Sequence, residues 1–462
     1  MKGRSHASRN GRWMAATMIA ILTVAAVAGF AVVRPAVAAS RGSQGWQQIK
    51  HVVILMMENH AYDSYFGLYC QHYSKYCPNV GNGIPAGACV PYNPSRPFAG
   101  CEKPFELTTP TPHDMGHDWA ASHLAYDGGK MDGFYQADGL QTMGHYDGSS
   151  VPVYWDIAEE FGLGDDSFSS TLSYSVPNHW YLLAASAPPA FSRSVSQMLN
   201  PTQQHQYLAQ ANATPTVEQE LNAHPGVSWA YYDFSLNSYS RAINMAPGPG
   251  SAFSLFNPLA SKHQSYVGNN PNHFQPRSQF FADVSSGSLP DIAWVMPSLP
   301  ISDHPPDNIF VGQNFTASIV DAIESSSQWS STALFITWDD FGGFYDHVVP
   351  PAIDQYGDGF RTPLLVVSPW TPAGIVVHTD LRFESLLHFV EWHWNLGCIA
   401  PRDCNAHLPL GFFNFQLHRH PVLIPNSSRA QYPYVPPAGA VNVTVPPSLL
   451  DSNASGNLTE ED

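Results

Sequence analysis

The stretch TWDDFGGFYDHVVPP, residues 337–351, places two adjacent aspartates two residues beyond the apolar run ALFI at 333–336, in a chain of 462 residues of which only 12% are charged. A short run that is apolar on both faces reads as a buried strand of a parallel sheet. Carboxylates at the end of such a strand are costly to bury unless something positive faces them. The ordinary alternative is a helix cap at Asp339 and a solvated loop residue at Asp340.

Working outward, four more runs have the same character: HVVILMME at 51–58, VSWAYYD at 227–233, DIAWVMP at 291–297 and PLLVVSP at 363–369. Helical patterns lie between them, at VPVYWDIAEEFG from 151, FTASIVDAIESSSQW at 315–329 and RFESLLHFVEWHWNLG at 382–397. That alternation predicts an α/β fold, a three-layer α/β/α sandwich with a mostly parallel central sheet. Open sheets of this kind bind ligands outside the carboxyl ends of their strands. There the first run supplies Glu58 and Asn59 and the fourth supplies Asp339 and Asp340. Carboxylates and an amide oxygen are the donors that a hard divalent cation prefers, so these four residues read as one metal site.

Histidines crowd the turn-rich segments TPHDMGHDW at 111–119, SDHPPDN at 302–308 and FYDHVVPP at 344–351. Beside carboxylates they point to an anion site in which imidazolium donors hold an oxyanion. Spacing does not choose among His113, His117 and His123.

The ends of the chain differ from its middle. Lys2, Arg4, Arg9 and Arg12 precede an apolar stretch from Trp13 to Val33 and the small-residue run RPAVAAS, the pattern of a signal peptide over residues 1–39; an uncleaved N-terminal anchor is the alternative. Six cysteines, at 70, 77, 89, 101, 398 and 404, fit an oxidising compartment and local bridges such as Cys398 with Cys404. Loss of the leader, with Lys2, Arg4, Arg9, Arg12 and Arg34, takes the formal charge from -17 to -22. Such a field repels nucleic acid, while mild acid charges many of the 21 histidines and cancels most of the excess. The polar region at about 190–285 reads as a loop-rich insertion within a catalytic domain spanning 46–420, and 421–462 as a proline-rich, partly disordered tail. Sequons occur at Asn314, Asn442 and Asn457.

The chain has no G-x-S-x-G elbow, no C-x-P-x-R and no P-loop or dinucleotide fingerprint in a strand-to-helix setting. A serine nucleophile is better placed in DDSFSSTLSYSVPNHWYLLAAS at 165–186, where a Ser-Val-Pro-Asn turn precedes an apolar run and a helix N-terminus favours negative charge. Ser167, Ser169, Ser170, Ser173 and Ser175 all compete there.

Together, HVVILMMENHAYDSYFG, GGKMDGF, SVPNHWYLL and TWDDFGGFYDHVVPP resemble the phosphoesterase family of bacterial phospholipases C and acid phosphatases, a branch of the alkaline-phosphatase-like superfamily, over residues from about 50 to about 400. The resemblance implies that Glu58, Asn59, Asp339 and Asp340 hold one divalent metal ion (calcium, magnesium, manganese, iron or zinc). It makes Ser175 the nucleophile and has His117, His304 and His347, with Asn59, bind the phosphoryl group. His179 stands where relatives often have arginine, which leaves that position's role open. Ser175 and the short chain favour phosphate monoesters, with phospholipase C activity as the alternative and a non-catalytic secreted binding protein as a third reading. The expected partner is a phosphoester, with a membrane involved only if lipids are the substrate or the leader stays attached, and the expected location is secreted or periplasmic.

Overall fold

The structure, a computed structural model, describes residues 45–73, 75, 77, 82–188, 209–234, 258–259 and 273–428. The leader at 1–39 and most of the tail after 421 lie outside the described residues, as do Asn442, Asn457 and much of the insertion.

Eight strands form the central sheet: β1 (His51–Met57), β2 (Gly162–Gly164), β3 (Trp229–Asp233), β4 (Phe274–Pro276), β5 (Ile292–Met296), β6 (Thr332–Trp338), β7 (Leu364–Val367) and β8 (Ile375–Val377). Their order is β8-β2-β7-β6-β1-β5-β3-β4. All run the same way except β7, which is antiparallel to both neighbours. The sequence reads β7 as parallel, but no helix lies between Trp338 and Leu364, and without a crossover helix the chain returns in the opposite direction.

Side chains alternate across the pleat, so each strand feeds both layers. Val53, Leu55 and Met57 of β1 face one core with Leu334, Ile336 and Trp338 of β6, covered by α3 (Pro152–Glu160), α6 (Arg277–Ser286) and α7 (Ile309–Glu324). Val52, Ile54 and Met56 face the other with Ala333 and Phe335, under α4 (Ser175–Ala184), α5 (Val217–Ala223) and α8 (Phe383–Trp394). Two shorter helices, α1 (Tyr62–Phe66) and α2 (Trp119–Tyr126), follow β1 and precede α3. This is the three-layer sandwich expected, with each fully buried Val, Leu or Ile adding about 1.5–3 kcal/mol.

The insertion is more ordered than its composition implies, because α5, β3, β4 and the start of α6 come from it and extend the sheet to its edge. Disulfides join Cys70 to Cys77, Cys89 to Cys101 and Cys398 to Cys404. Asn314 is buried within α7, which rules out a glycan there in the folded chain. Among the described residues no helix is long and apolar enough to cross a membrane.

Candidate active site at the carboxyl ends of β1 and β6

Register brings the acidic residues together. β1 and β6 are adjacent and parallel, with Met57 paired to Trp338, so the next residues, Glu58 and Asp339, emerge side by side. The Asp339 amide donates to Met57 O (3.0 Å), and the Glu58 amide to Ser302 O (2.9 Å) beyond β5. Asp339 Oδ1 accepts from the amides of Asn59 (2.9 Å) and Asp340 (2.8 Å). Asp340 Oδ1 accepts from the Gly342 amide (2.7 Å). Glycine is needed at 342: its φ is 57°, and a Cβ there would stand 2.3 Å from Asn59 O. Both aspartates are fully buried, which excludes the solvated-loop reading.

Helix α4 brings the hydroxyl. Ser175 is its first residue, with Tyr174 at the N-cap, so the partial positive charge of the helix end lies at this side chain. Asn178 pins the preceding loop: Oδ1 accepts from the amides of Ser170 (3.0 Å) and Thr171 (3.1 Å), and Nδ2 donates to Ser173 O (3.1 Å). Ser175 Oγ donates towards Asp340 Oδ2 (3.3 Å) and Asn59 Oδ1 (3.5 Å). Two of its competitors are engaged elsewhere: Ser169 Oγ donates to Phe360 O (3.1 Å) and Ser170 Oγ to Glu384 Oε2 (2.6 Å).

One turn along α4, His179 Nε2 lies 3.1 Å from Glu58 Oε1 and 3.8 Å from Asp339 Oδ2. Glu58, His179 and Asp339 each offer a ligand atom, all within 4.8 Å of one another and all buried. Sequence reasoning left the role of this histidine open and did not count it as a ligand, although its spacing of four from Ser175 puts both on one helix face. The tight cluster thus differs from the expected ligand set: His179 joins Glu58 and Asp339, while Asp340 and Asn59 turn their oxygens to Ser175. Asp339 Oδ2 is buried and accepts no hydrogen bond. Burial first, then the adjacent Glu58, pushes the Asp339 carboxyl up to about 7. Two buried carboxylates and an imidazole around an unsatisfied oxygen fit a divalent cation well. Cys398, Asp403 and Cys404 also cluster, but a disulfide has no thiolate to offer a metal.

The histidines divide. His117 Nδ1 donates to Met115 O (2.6 Å), which leaves Nε2 to accept from Asn59 Nδ2 (3.3 Å) and so orients the amide oxygen towards Ser175. His304 Nδ1 donates to Pro305 O (2.5 Å), and its ring centroid is 6.0 Å from that of His117. Asp114, His117 and His304 form a second group with ligand atoms within 4.8 Å. His113 is exposed, and half-buried His123 stacks on Trp119. His347 belongs to a different cluster: Asp63 Oδ2 accepts from its amide (2.9 Å) and from its Nδ1 (2.7 Å).

Two further residues missed by sequence reasoning position these histidines. Asp63, on α1, holds His347. Asp303 has φ 78° and accepts at Oδ2 from Tyr154 OH (2.5 Å), Tyr65 OH (3.2 Å) and Trp338 Nε1 (3.2 Å). It fixes the turn that presents His304, and Gly312 makes room for it, since a Cβ there would come 1.8 Å from Asp303 Oδ1.

A parallel-strand crevice with clustered oxygen and imidazole donors beside a helix-capped hydroxyl is built for displacement at phosphorus, and the comparisons agree. The chain belongs to the phosphoesterase family, whose model matches residues 49–397, and it is a hydrolase of phosphoester bonds. It is similar to phospholipase C A of Mycobacterium tuberculosis, 27% identical over 74% of this chain and 72% of the other. Phospholipase C B of the same organism is also 27% identical, over 81% and 79%. The non-hemolytic phospholipase C of Burkholderia pseudomallei is 28% identical over 78% of this chain and 57% of that one. A solved member of the alkaline phosphatase superfamily from Vibrio parahaemolyticus aligns over 79% of this chain and 70% of its own, at 12% identity and a TM-score of 0.39; that likeness is too low to add to the fold described above.

Proposed function

We propose that this chain is an exported phospholipase C-type phosphodiesterase that works through a serine-bound intermediate. The observation that carries the mechanism is the position of Ser175 Oγ, on the first turn of α4, 3.3 Å from Asp340 Oδ2 and beside the Glu58–His179–Asp339 cluster. The preference for phospholipids over monoesters rests on the relatives, which bear phospholipase C names at 27–28% identity. It reverses the monoester preference read from Ser175 and the length of the chain.

Asp340 and Asn59 orient the hydroxyl and accept its hydrogen bond. Glu58, His179 and Asp339, with Asn59 and Asp340, would hold the divalent cation, which on binding lowers the pKa of the serine hydroxyl and neutralises charge on the phosphoryl oxygens. Ser175 Oγ passes its proton to Asp340 Oδ2 as it attacks phosphorus, an Oγ–P bond forms, and the P–O bond to glycerol breaks. The leaving diacylglycerol oxygen takes a proton from an imidazole. His347 is the best supported donor, because Asp63 fixes its Nδ1 and leaves Nε2 for proton transfer. Water then gives a proton back to the His347 imidazole as it attacks phosphorus, the Oγ–P bond breaks to release the phosphorylated head group, and Asp340 returns its proton to Oγ. His117 and His304 bind the equatorial oxygens.

The test compares diacylglycerol release from dispersed phosphatidylcholine with phosphate release from an aryl monophosphate. A kcat/KM at least tenfold higher for the diester is expected. The reverse order would make the chain an acid-phosphatase-like monoesterase.

A further inference from the structure

Isolated exposed hydrophobic side chains are normal on any protein, and only their concentration carries meaning. Among the described residues, eight of the nine large exposed hydrophobics fall in two segments, 92–140 and 349–356. Both segments frame the candidate active site. Trp119 is two residues after His117, and Val349 two after His347. The turn bearing Leu140 is tied to the loop carrying His117 through Gln141, whose side chain accepts from the His113 amide (2.8 Å) and donates to His113 O (2.7 Å). The two segments meet, since a Cβ on Gly129 would lie 3.7 Å from Val349 Cγ1.

Phe98 is the extreme case. Its side chain is wholly exposed, at 101%, on a short 3-10 turn (Pro97–Ala99) within a loop closed by the Cys89–Cys101 disulfide. Tyr92, also exposed, packs edge-on against Tyr135 at the base of that loop, 4.8 Å between ring centroids. A disulfide-closed loop with an aromatic tip in water has a reason to exist if the tip leaves water. Aromatic side chains favour the interface between a bilayer and water, where apolar bodies and polar rims are both satisfied.

We propose that these two segments form the face by which the enzyme sits on a phosphatidylcholine surface, with Phe98 as the inserted tip and the catalytic crevice opening towards the lipid. The charge balance selects the lipid. Within 92–140 and 349–356 there are eight acidic residues and three basic ones, Arg96, Lys103 and Lys130. Such a face is repelled by anionic head groups and tolerated by zwitterionic ones. The inference rests on the phospholipase reading and deepens it, since it concerns how the same site reaches a substrate held in a membrane.

The experiment uses the full mature chain, with Phe98→Ser combined with Leu140→Ser, and Leu423→Ser as a control at an exposed apolar residue outside the two segments. Binding to phosphatidylcholine vesicles is measured by cosedimentation, and turnover with a short-chain phosphatidylcholine kept below its micelle concentration. The double variant is expected to lose at least tenfold in vesicle binding with turnover of the monomeric lipid unchanged, and Leu423→Ser to behave as wild type. Wild type that ignores vesicles, or a double variant that binds them equally well, would overturn the proposal. So would a wild-type dimer that the double variant converts to monomer, because a second copy would then cover the face. Failure of the phospholipase reading shows separately, as absence of diacylglycerol release from the monomeric lipid by wild type.

Discussion

Two buried acidic clusters stand at the same end of the sheet and are neutralised in opposite ways. In one, Asp63 and Asp346 surround Arg361: Nη2 lies 3.1 Å from Asp63 Oδ1, Nε lies 2.9 Å from Asp346 Oδ1, and the guanidinium stacks 4.4 Å over the Tyr62 ring. All three charged groups are fully buried, and the chain supplies its own cation. In the other, Glu58 and Asp339 share the His179 imidazole, whose Nε2 lies 3.1 Å from Glu58 Oε1 and 3.8 Å from Asp339 Oδ2. One acidic pair is neutralised by an arginine, while the other, on the proposed reading, is neutralised by a bound cation. Asp346 follows Asp339 by seven residues in one loop, so the difference comes from what faces each carboxylate and not from the residue type.

Substitutions should separate the two. Ser175→Ala should keep the metal and lower turnover of any phosphoester by about six orders of magnitude, the scale set by removing a nucleophile; single-turnover kinetics would detect a smaller loss. Arg361→Met should leave Asp63 and Asp346 as uncompensated buried charges and destabilise the fold by about 3–5 kcal/mol, read by urea unfolding. A loss below about 1 kcal/mol would mean that Arg361 does not neutralise that cluster.

Chelation should abolish turnover and lower stability by about 4 kcal/mol for a cation present at a thousand times its Kd. The sign of its pH dependence follows from Asp339, held at about 7 without metal chiefly by burial. A carboxyl raised in the fold stabilises most when protonated and loses that contribution as pH climbs from about 4 towards 7. Metal-free protein should therefore lose stability over that window, and added cation should restore more at pH 8 than at pH 5.

The smallest effect lies away from the site. Glu391 is buried, and desolvation first, then Asp403, pushes it up to about 10. Its protonated form is the folded one, so at pH 7.5 the glutamate costs stability that a neutral glutamine does not. Glu391→Gln should stabilise by roughly 3 kcal/mol at pH 7.5 and by almost nothing at pH 4, a difference that thermal unfolding at the two pH values resolves.

Much of this was legible in the sequence where the pattern is local. The five apolar runs became β1, β3, β5, β6 and β7, because both-faces-apolar runs have no other stable home. β2 was not legible: Gly162-Leu163-Gly164 has weak strand propensity, and glycine is there because a Cβ at 162 would stand 2.7 Å from Phe412 Cδ1, a contact 250 residues away. Helix α7 begins at Ile309, six residues before its apolar pattern is evident, since Asn308 caps it by accepting from the Phe310 amide. The acidic pairs at strand ends were readable from chemistry, and Ser175 from the family resemblance. His179, Asp63 and Asp303 were not, because each acts on a partner more than a hundred positions distant, and one sequence carries no record of such pairings.

The most direct test is the metal content per chain of purified Asp339→Asn beside wild type, measured by elemental mass spectrometry. One equivalent of a divalent cation in wild type and a small fraction of that in the variant is the predicted result. Full metal in Asp339→Asn, or a fully active wild type without metal, would contradict it.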